Sequence, residues 1–182
     1  MAPSQPYAAG GPDRPAGRDE GRPGDGEAGA SHGSVPDFVP ARFAPLLARA
    51  AQRWNVSATL LAAQIYEEST FNPFARSPAG ALGIAQFMPG TARAMGLDDP
   101  FDPEQAIDAQ AHLMRDLLRQ FGSVPLALAA YNAGPGAVSA CGCIPNIPET
   151  RGYVARILGL MNGAGAPLTP GDGNTLAVRL VR

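Results

Sequence analysis

The sequence predicts a compact all-α domain between Pro40 and Asn162, and three observations carry that prediction. Apolar residues recur at helical spacing through the region, the mark of helices with one buried face. Ser, Asp, Pro and Gly stand where helix starts and stops need them. No segment of it alternates apolar and polar residues as a half-buried strand does.

The first helix, over residues 41–54, carries Phe43, Leu46, Leu47, Ala50 and Trp54 on one stripe. Ser57 is placed to cap a second helix that runs to about Ser69. Pro89 to Met95 is a short helix that Gly96 ends. Asp102-Pro103-Glu104-Gln105 is a strong start signal, with Asp as cap and Pro at the first helical position. Ile107, Leu113, Met114, Leu117, Leu118 and Phe121 follow as an apolar stripe, closed by Gly122. Val124 to Asn132 is another short helix, which Gly134-Pro135-Gly136 should stop. The last runs from about Pro148 to Met161, with Val154, Ile157, Leu158 and Met161 facing in.

The domain is expected to span residues 37–162, between two tails. Positions 1–34 hold eight Gly, five Pro and eight charged residues, against Met1 and Tyr7 as the only large apolar groups. Such a segment buries too little to offset its chain entropy, so residues 1–36 are expected to be disordered. Residues 163–182 read as a linker and short tail, where "TLAVRLVR" is the only alternation in the chain. No signal peptide is visible, and no stretch is long and apolar enough to span a membrane.

Composition narrows the function. A net charge of −2 argues against a nucleic-acid partner. All 14 basic residues are Arg, which excludes chemistry built on a P-loop or Schiff-base lysine. Outside the N-terminal tail His112 is the only histidine, a poor basis for a Ser-His-Asp triad or a zinc site. Cys141-Gly142-Cys143 lacks the second pair that would complete a metal site. Two small side chains in a turn, a disulfide or a redox role all stay open for it. No metal and no cofactor is expected, and the domain is expected to be a monomer.

The stretch "IYEESTFNPFARSPAGALGIAQFMPGTA" poses a chemical question. Glu67 and Glu68 close an apolar helix, and no further acid follows before Asp98. Both glutamates have apolar neighbours at helical offsets; Ile65, three residues earlier, slightly favours Glu68 as the inward one. A carboxyl held against apolar groups keeps its proton to higher pH, as a general acid must. Behind it, Gly80, Gly83 and Gly90 permit close backbone approach. Gln86 can donate and accept, and Phe87 and Met88 offer apolar faces, a mixture that suits sugar rings but also a plain buried turn. In "LALAAYNAGPG", Tyr131 shares the inward stripe of Val124 and Leu128, so its hydroxyl needs a buried partner.

These segments, with "ETRGYV" after them, resemble in content and order the soluble lytic transglycosylase domain, a lysozyme-like family that cleaves the glycan strands of peptidoglycan. The resemblance covers about Phe43 to Met161. It implies that Glu68 is the single catalytic acid and that Ser77, Gln86 and Met88 line the glycan groove. It also implies that Tyr131, with Asn132 beside it, hydrogen-bonds the catalytic carboxyl, and that Glu149 and Tyr153 help close the site. One acid suffices where the substrate brings its own nucleophile. The implied product of cutting the β-1,4 bond between N-acetylmuramic acid and N-acetylglucosamine is then a 1,6-anhydromuramoyl end. The implied place of action is the cell wall, outside the cytoplasm, with a phage or conjugation apparatus as one setting for a chain without a visible export signal.

Two rivals stand beside this. A goose-type lysozyme-like hydrolase of the same bond needs an activated water, and Asp98, Asp99 and Asp102 are the sequence's candidates for a second carboxylate. A non-catalytic glycan-binding or virion module needs only the groove.

Overall fold

The computed structural model describes residues 34–163. The two expected tails, with "TLAVRLVR", lie almost wholly outside the described residues. Among the described residues there are seven helices and no strand, only isolated bridges joining Arg76 to Leu82 and Leu82 to Phe87. The helices are α1 (Ala44–Trp54), α2 (Ala58–Ser69), α3 (Pro89–Ala94), α4 (Pro103–Phe121), α5 (Val124–Ala133), α6 (Pro135–Cys141) and α7 (Pro148–Met161).

α2 and α5 form the centre. From Leu60 to Ile65 every residue of α2 is at most 1 % exposed, and Ala127 to Ala130 of α5 are at most 2 % exposed. A helix apolar on nearly all sides is one wrapped on nearly all sides, which is why periodicity favoured one face of α2 only slightly. α7 packs on both α2 and α5, α4 on α5 and α1, and α6 on α5. Each wholly buried Leu or Ile in this core contributes about 1.5–3 kcal/mol of transfer free energy.

The start signals act as expected. Ser57 Oγ accepts from the Leu60 amide at 3.3 Å. Asp102 caps α4 through bonds from the amides of Glu104 and Gln105, at 2.8 and 3.3 Å. Gly134-Pro135-Gly136 does more than stop a helix. Gly134, at φ 88°, receives the end of α5, and Pro135 begins α6 at once. Proline's fixed φ and missing N–H suit a first helical position, so the residues that end one helix start another.

Two side-chain expectations resolve here. Cys141 and Cys143 are disulfide-bonded to each other around Gly142, so they are not half of a metal site. His112 stacks on Trp54, ring centroids 4.0 Å apart, in the seam between α4 and α1. Burial holds its imidazole below the ordinary value, and it takes no part in the groove described next.

Candidate active site

Glu68 occupies the last turn of α2, which Thr70 ends in the left-handed conformation at φ 52°. Phe71 continues that conformation at φ 60° and buries its ring against Phe43. The chain therefore turns sharply and returns over the end of α2. Three contacts hold the returning loop. Ser69 Oγ donates to the Ile84 carbonyl at 2.7 Å. Leu82 and Phe87 exchange backbone bonds of 2.9 and 3.0 Å, and the Gly83 amide donates to the Ala75 carbonyl at 2.9 Å. Gly83 has no alternative here: φ is +76°, and an added Cβ would stand 1.7 Å from the Pro100 carbonyl oxygen.

The loop, α5 and the start of α7 enclose a groove of about 330 Å³ with Glu68 in its lining. Ser77, Gln86 and Met88 line it from the loop. Tyr131 and Asn132 line it from α5, and Glu149 from α7. All the residues expected at the site except Tyr153 thus share one surface. Gln86 stands at φ 49° and spends its amide nitrogen on the Gly83 carbonyl at 2.8 Å, which leaves its oxygen free to accept. Ser77 Oγ accepts from the Ala81 amide at 3.0 Å and shapes the rim. Thr91, Leu113, Leu117 and Pro135 also line the groove. The sequence motifs do not assign these four to a groove, because they reach it only through packing.

The two glutamates have opposite surroundings. Glu67 is half-buried and pairs with the Arg156 guanidinium at 2.7 Å. Glu68 is pushed up from 4.5 to about 8, first by burial, with the Tyr153 hydrogen bond opposing and the Glu67 charge adding. It can hold a proton at neutral pH and face a bound molecule.

The tyrosines exchange the expected roles. Tyr131 does not bond the carboxyl; its hydroxyl donates to the Ala85 carbonyl at 2.9 Å and fastens the loop to α5. The partner of Glu68 is Tyr153, whose hydroxyl donates to Oε1 at 2.6 Å from behind the groove wall. Both rings pack inward, Tyr131 as its stripe requires and Tyr153 among the buried residues of α7. Which hydroxyl reaches the carboxyl depends on where α7 seats against α2, and α7 lies against α2 directly. Asn132 is held by Thr150, whose Oγ1 donates to its Oδ1 at 2.8 Å, tying α5 to α7 at the groove edge.

The candidate second carboxylates also change. Asp99 accepts from the Phe101 amide and Asp102 caps α4, so both are structural. None of Asp98, Asp99 and Asp102 lines the groove; Glu149 does. Among the described residues no cluster of three His, Cys, Asp or Glu could hold a metal ion.

Residues 45–142 match the family model described as the transglycosylase SLT domain. The chain is 40 % identical over 104 residues to membrane-bound lytic murein transglycosylase F of Desulfosudis oleivorans, covering 53 % of this chain and 23 % of that protein. It is 34 % identical over 125 residues to the transglycosylase of Enterobacteria phage PRD1, covering 68 % and 46 %. A lytic transglycosylase Slt of Pseudomonas aeruginosa, solved as an inactive Glu-to-Gln mutant, superposes with a TM-score of 0.60 at 30 % identity, over 66 % of this chain and 23 % of that one. The 70-kDa soluble lytic transglycosylase of Escherichia coli superposes with a TM-score of 0.60 at 28 % identity, over 67 % and 24 %. The chain therefore spans a quarter to a half of the length of these relatives.

Proposed function

Because the chain belongs to the transglycosylase SLT domain family, we propose that it is a lytic transglycosylase. It cuts the β-1,4 bond between N-acetylmuramic acid and N-acetylglucosamine in peptidoglycan and leaves a 1,6-anhydromuramoyl end. Residues 37–162 are the catalytic unit. The observation that carries this reading is the half-buried carboxyl of Glu68, which lines the groove and is held by the Tyr153 hydroxyl at 2.6 Å. The inactivity of a Glu-to-Gln mutant in the P. aeruginosa relative supports a glutamate in this role.

Glu68 gives its proton to the glycosidic oxygen as the bond to C1 of the muramoyl residue breaks. The muramoyl acetamide oxygen stabilises the cation, as in substrate-assisted glycosidases. The Glu68 carboxylate then takes the proton of the C6 hydroxyl, which closes on C1. Glu68 ends protonated, ready for another cycle, and no water is consumed. Ser77, the free Gln86 oxygen, Met88 and Asn132 bind the sugars. Tyr131 holds the loop and Tyr153 holds the carboxyl.

Peptidoglycan lies outside the cytoplasm, so this chain works there. The Cys141–Cys143 disulfide suits an oxidising compartment. The phage relative supports a virion as one carrier.

One observation favours a second reading. Glu149 is another carboxylate on the groove, and it could activate a water for hydrolysis. Mass spectrometry of the muropeptides released from purified peptidoglycan separates the readings. The anhydro product is lighter than the hydrolytic one by one water, about 18 Da. Reducing ends alone would replace the lyase with a hydrolase, and no released product would leave a binding module.

A further inference from the structure

Gln64 and Gln110 are 0 % exposed in an otherwise apolar core, and neither lines the groove. Buried amides cost stability unless paired, and apolar side chains of similar size would fill the same space. Their bonds lead to the acid. Gln110 Nε2, on α4, donates to Gln64 Oε1 on α2 at 2.8 Å. Gln64 Nε2 donates to the Tyr153 hydroxyl on α7 at 3.2 Å. That hydroxyl donates to Glu68 Oε1 at 2.6 Å.

The direction of this relay follows from counting protons. A tyrosine hydroxyl has one, and a carboxylate is a stronger acceptor than an amide. With the Tyr153 proton given to Glu68, Gln64 must offer its nitrogen to the phenol oxygen. With its nitrogen turned to Tyr153, Gln64 faces Gln110 with its oxygen, and Gln110 answers with nitrogen. The Gln110 oxygen is left over at the end of the chain, and it is indeed buried without a partner. An orphaned acceptor in the core is what this direction leaves.

We infer that Gln64 and Gln110 are positioning residues: they hold the Tyr153 hydroxyl as a donor to Glu68 Oε1 and leave Oε2 as the oxygen that carries the transferable proton. By polarising the phenol they strengthen its bond to the ionised carboxyl and oppose the effect of burial. A residue that must both give and retrieve a proton works best with its affinity near ambient pH. The relay keeps Glu68 from being carried beyond that range. The other groups around Glu68 are Glu67 on α2, which is paired with Arg156 of α7, then Tyr131 on α5 and Glu149 on the groove. Of these, only Glu67 adds its charge to the rise of Glu68. The catalytic meaning of the relay rests on the function proposed above, but its geometry does not, and it can be tested without substrate.

Carbon-13 NMR of the labelled glutamate carboxyls reads the Glu68 midpoint directly. It should stand near 8 in the unmutated protein. In Gln64→Met it should move up by about one pH unit, the size of one lost hydrogen bond. Gln110→Met should move it less, and the double variant should match Gln64→Met, since Gln110 acts only through Gln64. An unchanged midpoint in folded Gln64→Met overturns the inference. The unmutated protein supplies a second test that survives any folding failure. The Gln64 side-chain amide protons should titrate with the Glu68 midpoint, and a flat response overturns the inference as well. Cleavage assays beside these show which idea fails. If the midpoints move as stated while unmutated protein releases no product, the proposed function is lost and the relay stands.

Discussion

The Tyr153 hydroxyl meets the Glu68 carboxyl at 2.6 Å across 85 positions of sequence. The contact joins the packing of α7 against α2 to the protonation of the candidate acid. It is also the largest influence opposing burial at that carboxyl. The fold and the chemistry therefore share one bond.

Replacing each tyrosine by Phe separates their roles. Tyr153→Phe removes the bond that favours the ionised carboxyl, so Glu68 should titrate above about 8. The alkaline limb of the kcat/KM profile on peptidoglycan should move up in pH. The rate should fall by a factor of about 10–100, as for one hydrogen bond to a charged group. Tyr131→Phe strands the Ala85 carbonyl instead. It should cost about 1 kcal/mol of stability and move the limb little. A larger limb shift from Tyr131→Phe would return the carboxyl contact to that residue.

Glu68→Gln should lower cleavage by a factor of about 10²–10⁴ or more, because it removes only the transferable proton. It should also stabilise the fold, with a definite pH dependence. Between 4.5 and about 8 the folded protein holds a proton on Glu68 that the unfolded chain has lost. Stability must therefore fall as pH rises through that window. Removing the group should recover up to about 4 kcal/mol at the alkaline end and little at the acid end. Thermal melts of both proteins at pH 5 and pH 8 measure the difference, and parallel melts would show that Glu68 is not held protonated.

Gly83→Ala tests the hairpin above the acid. The new Cβ would fall 1.7 Å from the Pro100 oxygen at a backbone φ of +76°. A cost of about 3 kcal/mol or more is expected in urea unfolding. Cleavage should drop with it, because Ser77 and Gln86 belong to the same loop. An Ala variant as stable as its parent would mean that the Pro100 turn yields freely.

Asp102→Ala removes the cap of α4 and should cost about 1 kcal/mol, or roughly 4 °C in Tm. The Gln105 side-chain bond, first among its causes, holds the Asp102 carboxyl below its ordinary value. The benefit is therefore present above the usual carboxylate range and is lost as pH falls through it. Melts of variant and parent should converge in acid. Convergence in alkali would contradict the cap.

The seven helices were largely legible in the sequence, because their signals act between neighbours. Ser57 and Asp102 bond amides two or three residues ahead, and apolar stripes repeat within two turns. The exception, α6, begins at a Pro whose stopping and starting roles look alike until the chain is folded. Glu68 and its groove companions were named through the resemblance of three motifs to one family, and those motifs each form part of one wall. Tertiary structure alone decided how those motifs meet. Tyr131 and Tyr153 are both inward aromatic hydroxyls on helices. Only the seating of α7 against α2 assigns the carboxyl to Tyr153 and the Ala85 carbonyl to Tyr131. Gln64 and Gln110 lie 46 positions apart and carry no local mark. A hydrogen bond needs a few tenths of an ångström of agreement, whereas a helical stripe specifies only a face. Local sequence supplies the face, and the packing of the whole core supplies the distance.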